Sequence, residues 1–119
     1  MRIDIEFHSS SLTVIIYRNR NKNSQPLCLR LTRSEFLILR EFASYPGQHL
    51  SKHHLIEVGW PNMCIGPNSL TMVIMSLRKK LTKAASFWEI VTIHRIGYSM
   101  SLSPLDLDSR IKIINYEYG

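Results

Sequence analysis

The fold turns on the stretch 68-NSLTMVIMSLRKKL-81. Asn68 and Ser69 open it with short polar side chains of the kind that satisfy free backbone N–H groups at a helix start. Leu70, Val73, Ile74, Leu77 and Leu81 follow at helical spacing and form one apolar stripe. Thr71, Met75 and Arg78 fall on another face, with Met72, Ser76 and Lys79 beside them. The stretch ends on Arg78, Lys79 and Lys80. Cations at a helix C-terminus are favoured by the macrodipole whether or not they touch anything. The periodicity alone therefore fits a core helix with a solvated basic end as well as a helix whose polar face meets a partner.

Upstream, 2-RIDIEF-7 alternates apolar and polar residues as a half-buried strand does. Residues 12-LTVIIYR-18 are β-branched and aromatic, and 26-PLCLRL-31 is a further short strand. Together they predict a small antiparallel sheet at the N-terminus. At 32-TRSE-35 the period changes. Thr32 and Glu35 make a capping box, in which each side chain satisfies a backbone N–H of the first turn. Phe36, Leu37, Leu39, Phe42 and Ala43 recur at helical spacing until 45-YPG-47, where Pro46 stops the helix. Ser51 caps a second helix with Leu55, Ile56 and Val58 on its apolar side, and Trp60-Pro61 ends it. Residues 61-PNMCIGP-67 read as a loop.

Downstream of Ala84-Ala85-Ser86 the period returns to two. Residues 90-IVTIHRIGYSMSL-102 split at Arg95–Gly97 into the halves of a hairpin with a basic tip, where Gly97 is able to take positive φ. Strands, three helices and a hairpin in this order predict an α+β winged helix-turn-helix. Residues 1–102 form the domain, and 103–119 are a tail or linker. Within that tail, 111-IKIINYEY-118 has strand-like content and leaves three outcomes open: adding to a sheet, pairing with another subunit, or leading toward a further segment.

Composition narrows the partner. The 119 residues carry a formal charge of +6, with 45% hydrophobic and 20% charged residues, as in an ordinary globular domain with an acidic partner. The charge is uneven. Residues 66–102 hold five basic groups against Glu89, a net of +4, while residues 103–119 hold two against three acids, a net of −1. The last stretch is thus not expected on a basic binding face. Two separated cysteines, no long apolar run and no signal-peptide pattern predict a cytoplasmic protein. In such a fold the third helix enters a major groove, with its first turns at base edges and its cationic end near phosphates, and the hairpin tip reaches neighbouring backbone or minor groove.

Residues 31–102 resemble the OmpR/PhoB-type effector domain of bacterial transcription regulators. The landmarks are 31-LTRSEFLIL-39, 46-PGQHLSKHHLIEVGW-60, 70-LTMVIMSLRKKL-81 and 91-VTIHRIGYSM-100, the last being similar to the family's wing. Within the family, 67-PNSL-70 followed by S-L-R-K-K-L is similar to the ToxR/CadC-like branch, as is the lack of room for a receiver domain. Members of that branch often continue into a membrane span, so a membrane tether, on a further segment or on a partner, is left open. The resemblance implies double-stranded DNA as partner and no cofactor, metal or catalysis. It places Thr71, Met75 and Ser76 facing bases, Asn68 and Arg78 at phosphates, and His94 where many members carry a minor-groove arginine, with Arg95 replacing the following glycine. With Ser69, Met72 and Lys79 these form the expected DNA-binding set. It also implies that the Pro61–Pro67 loop touches RNA polymerase.

The base-facing positions carry no Arg, Asn or Gln for bidentate pairing, so modest intrinsic specificity is expected, with a homodimer on DNA or a partner adding the rest. Two rivals follow from the same positions: a winged-helix module that binds only protein, and a nonspecific nucleic-acid binder. Met72 and Met75 serve equally well as core filler or as base readers, which could at most contact thymine methyls. Trp60 is expected in the core, Cys28 as a buried small residue, and Tyr98 between the wing and the third helix. Cys64 lies in the loop. His49, His53 and His54 lack the further ligands of a metal site and are expected at the surface. No GxSxG, HExxH or glycine-rich phosphate loop is present to support catalysis.

Overall fold

A computed structural model of the chain describes residues 2–18, 25–102 and 108–114. Strands β1 (Arg2–His8), β2 (Thr13–Arg18) and β3 (Leu27–Arg30) precede helix α1 (Arg33–Ser44). A short strand β4 (Leu50–Ser51) leads into α2 (Lys52–Gly59), and α3 (Ser69–Ala84) follows. The chain continues through β5 (Trp88–Ile93), β6 (Gly97–Leu102) and β7 (Asp108–Ile114).

The first sheet has the order β3-β2-β1-β7. β1, β2 and β3 pair antiparallel, as their alternation predicts. β7 then joins the far side of β1 in parallel, with Ile5 opposite Ile111. Of the three outcomes open to the tail, the described part adds to this sheet. The side chains of Ile3, Ile5, Phe7, Val14, Ile16 and Leu29 are buried beneath it. Cys28 is exposed, not buried as expected. It precedes buried Leu29 on an edge strand, and the strand period turns it to the opposite face.

β4 pairs with β6, and β6 with β5, to make the second sheet. Two residues are too few to show a period, so β4 has no sequence signature. Gly97, the first residue of β6, lies against it. A Cβ at Gly97 would sit 2.0 Å from the Leu50 carbonyl oxygen. The glycine is therefore needed for close approach. The positive φ expected of it falls instead on Arg95 within the turn, at 65°.

The capping box forms as the sequence predicts: the Glu35 amide donates to Thr32 Oγ1 at 3.3 Å, and the Thr32 amide to Glu35 Oε1 at 2.8 Å. Ser51 Oγ accepts from the His54 amide at the start of α2. Asn68 occupies the N-cap of α3, but its side chain makes no capping bond. One core joins both sheets and all three helices. Phe7 of β1 meets Phe36 of α1 and Trp88 of β5 edge-on, with ring centroids 5.8 and 6.0 Å apart. Trp60 packs half-buried against this core.

Candidate nucleic-acid interface

Helix α3 divides into three faces. Leu70, Ile74, Leu77 and Leu81 are buried, and Val73 lies half-buried beside them. At about 100° per residue, Asn68, Thr71, Met72, Met75, Lys79, Thr82 and Lys83 share an arc of roughly 120° on the opposite side, and all seven are exposed. Between these faces lie two polar flanks, each tied to a different element.

The first flank meets Glu35 at the start of α1. Ser76 Oγ donates to Glu35 Oε2 at 2.5 Å, and Lys80 Nζ to Glu35 Oε1 at 2.7 Å. Lys80 Nζ also reaches the Arg30 carbonyl at 3.3 Å. The Glu35 side chain is only 3% exposed, so an unpartnered carboxylate here would carry a large desolvation cost. Burial works to raise its pKa. The bonds from Lys80, Ser76 and the Thr32 amide, with the Lys80 charge, outweigh burial and hold it below the ordinary glutamate value. The carboxylate is thus both a helix cap and the hub that aligns α3 on α1.

The second flank meets the wing. Arg78 donates through Nε and Nη2 to the Ile90 carbonyl at 3.1 and 3.0 Å, and through Nη2 to Thr92 Oγ1 at 2.8 Å. Its guanidinium lies 5.7 Å from the centroid of the Tyr98 ring. Tyr98 is buried between the wing and α3, in keeping with the packing expected of it. The end of α3 has a further tie, from Arg18 Nη2 to the Ala84 carbonyl at 3.4 Å.

The run Arg78-Lys79-Lys80 therefore does not act as one cationic cluster. Arg78 is spent on the wing and Lys80 on Glu35, while Lys79 has no hydrogen bond or ion pair among the described residues. Ser76 is half-buried with its hydroxyl occupied, which corrects its assignment to the outward base-facing surface. Arg78 is likewise half-buried, and its Nε and Nη2 donate to β5. Ser69 is half-buried at the helix start. Met72 and Met75 are 67% and 53% exposed, so both lie at the surface and neither is core filler.

The wing tip spans residues 94–96 between β5 and β6, closed by the Ile96 amide on the Ile93 carbonyl. His94 and Arg95 are exposed there, as is Ile96. The Lys52 amide donates to the Ile96 carbonyl and ties the tip to the start of α2. Arg78 joins α3 to the same hairpin, so helix and tip are held in one frame.

Sequence reasoning missed Glu35 as more than a cap, Lys83 on the open face, and Thr92 as an Arg78 acceptor. A signal existed for the first: Ser76 and Lys80 are four apart, so one partner can hold both. His49, His53 and His54 are exposed, as expected. His53 pairs with Glu57 at 3.0 Å and His54 with Glu41 at 3.4 Å. Met63 and Cys64 are exposed in the loop between α2 and α3.

The arrangement has counterparts among known proteins. The family model described as transcriptional regulatory protein, C terminal, matches residues 24–100. The DNA-binding domain of CadC from E. coli superposes with a TM-score of 0.58 at 27% identity, over 74% of this chain and 78% of that one. The C-terminal domain of the nisin resistance regulator NsrR, a lantibiotic response regulator, gives 0.57 at 30% identity, over 73% and 84%. The DNA-binding domain of the response regulator AdeR, in complex with an intercistronic region, gives 0.67 at 22% identity, over 82% and 93%, and shares the fold. No curated protein matches the chain significantly.

Proposed function

This chain belongs to the family of transcriptional regulatory protein C-terminal domains, of the OmpR/PhoB type, and on that premise we propose that it binds promoter DNA with the open face of α3 in the major groove and the wing tip on the neighbouring backbone or minor groove. The observation that carries this is the open face itself. Both flanks of α3 are tied down, and what remains outward is a surface with cations at Lys79 and Lys83, on a helix that holds no acid of its own. Such a surface suits a polyanion.

On this reading Asn68, Lys79, Lys83 and Arg95 contact phosphates, His94 and Arg95 follow the wing, and Thr71, Met72 and Met75 face bases. Arg78 and Ser76 act indirectly, by fixing how α3 is presented. The Pro61–Pro67 loop, with Met63 63% exposed, is the surface offered to RNA polymerase. Two copies on adjacent half-sites would add the specificity one copy lacks. Among the described residues no helix is long and apolar enough to cross a membrane. We place the domain's work in the cytoplasm, and a membrane tether on a further segment or a partner rests only on the resemblance of 67-PNSL-70 and S-L-R-K-K-L to the ToxR/CadC-like branch.

The test is selection from a randomised duplex library, followed by titration of the enriched pool across salt. Tight binding at low salt, a steep fall as salt rises and enrichment of particular sequences are expected. No duplex binding at low salt would sink the proposal and leave the protein-binding reading in its place. Binding without enrichment would favour the nonspecific one.

A further inference from the structure

We infer that α3 selects its DNA through apolar contact with thymine 5-methyl groups, so that the sites it prefers carry thymines opposite Met72 and Met75. The inference rests on the DNA-binding reading above and names what that interface discriminates.

Three observations converge. Met72 and Met75 are the most exposed apolar side chains of α3, at 67% and 53%, and the helix already fills its core stripe without them. The side chains that ordinarily read base edges are missing from the middle of this face, which Asn68 bounds at the helix start and Lys79 and Lys83 at its end. Bidentate readout of guanine or adenine uses Arg, Lys, Asn or Gln, and of cytosine Asp or Glu. From Ser69 to Ala84 there is no Asn, Gln, Asp or Glu, and the one arginine, Arg78, is spent on Ile90 and Thr92. The Ser76 hydroxyl is spent on Glu35. The middle of the open face is therefore the two methionines and Thr71, whose own methyl extends the apolar surface. Lastly, Lys79 and Lys83 continue the same exposed face on a helix that holds no acid of its own, which fits the walls of a nucleic-acid groove better than an apolar groove in a protein.

Only one base pair presents an apolar group in the major groove: thymine, through its 5-methyl. A methionine surface gains by covering that methyl and gains nothing equivalent at other bases. The unbranched thioether chain also adapts its reach to the groove depth. Selectivity then comes from burying methyl groups in place of new hydrogen bonds, and it is modest at each position.

The experiment uses uracil, which lacks the methyl and keeps every hydrogen-bonding group of thymine. The pool enriched by the selection above is resynthesised with dUTP in place of dTTP and titrated beside the original. Covering one methyl corresponds to about fourfold in affinity, and two to roughly fifteenfold. The uracil pool should bind weaker within that range. The Met72→Ala/Met75→Ala variant, altered only at exposed positions, should keep the fold by circular dichroism and bind both pools alike. Equal binding of both pools by the unaltered protein overturns the inference while leaving DNA binding intact. So does uracil sensitivity that survives in the double variant, because it then reports DNA shape. If no duplex binds at low salt, the DNA-binding reading fails and this inference fails with it.

Discussion

Replacing Glu35 with alanine should loosen α3 without touching any residue of the open face. The carboxylate accepts from the Thr32 amide, Ser76 Oγ and Lys80 Nζ. Loss of the capping box costs about 1 kcal/mol. The bonds to Lys80 and Ser76 contribute about 1–2 kcal/mol more, a charge-assisted value discounted because the Lys80 side chain is 35% exposed and can turn to water. The sum is about 2–3 kcal/mol, or a fall in Tm of about 8–15 °C for a domain of this size. Thermal melts measure it directly. A double-mutant cycle with Lys80→Ala should show coupling, because both substitutions break the same bond. The pH dependence has a definite sign. Glu35 titrates below the ordinary glutamate value in the folded protein, so its stabilisation is complete above that value and is lost as pH falls through the lower, folded one. The gap in stability between the unaltered protein and Glu35→Gln should be steady near neutral pH and shrink in acid. A fall in Tm below about 3 °C, additivity with Lys80→Ala, or a gap that is the same at about pH 7 and about pH 3 would refute the assignment of Glu35 as the hub.

Further substitutions separate the two kinds of basic residue on α3. Arg78→Ala should cost about 2 kcal/mol of stability and weaken DNA binding as a consequence, since it removes the bonds to Ile90 and Thr92; chemical denaturation beside binding would expose an Arg78 that mattered only to DNA. Lys79→Ala should leave the melting curve unchanged while lowering the slope of log K against log salt by about 0.9, so an unaltered slope would remove Lys79 from the phosphate contacts. Gly97→Ala should cost about 3 kcal/mol or more, because its Cβ would meet the Leu50 carbonyl oxygen at 2.0 Å; a near-normal Tm would mean β4 and the wing are not so closely joined.

Much of the fold is legible locally. The capping box, the stop at Pro46, the Ser51 cap, the α3 stripe and the turn between β5 and β6 are each read from residues within one or two turns of each other. Short-range signals of this kind carry their own physics. The exceptions are instructive. Cys28 follows a period whose phase depends on which face of the sheet is covered, and four residues of edge strand are too few to set it. β4 exists only because Gly97 lets β6 approach Leu50.

The binding surface was less legible, for the same reason. The amino-acid order alone establishes a basic helix with an apolar stripe and a polar remainder, because helical period is a local property. It does not say which polar residues are free. That depends on partners far along the chain: Glu35 lies 41 residues from Ser76, and Ile90 lies 12 from Arg78. Once α1 and the wing close on α3, two of three adjacent cations and one hydroxyl are consumed by the scaffold. Lys79 and the two methionines are left facing outward. Packing at long range, which no local pattern encodes, thus turns an apparently cationic helix end into an open face with two exposed methionines at its middle and lysines at its end.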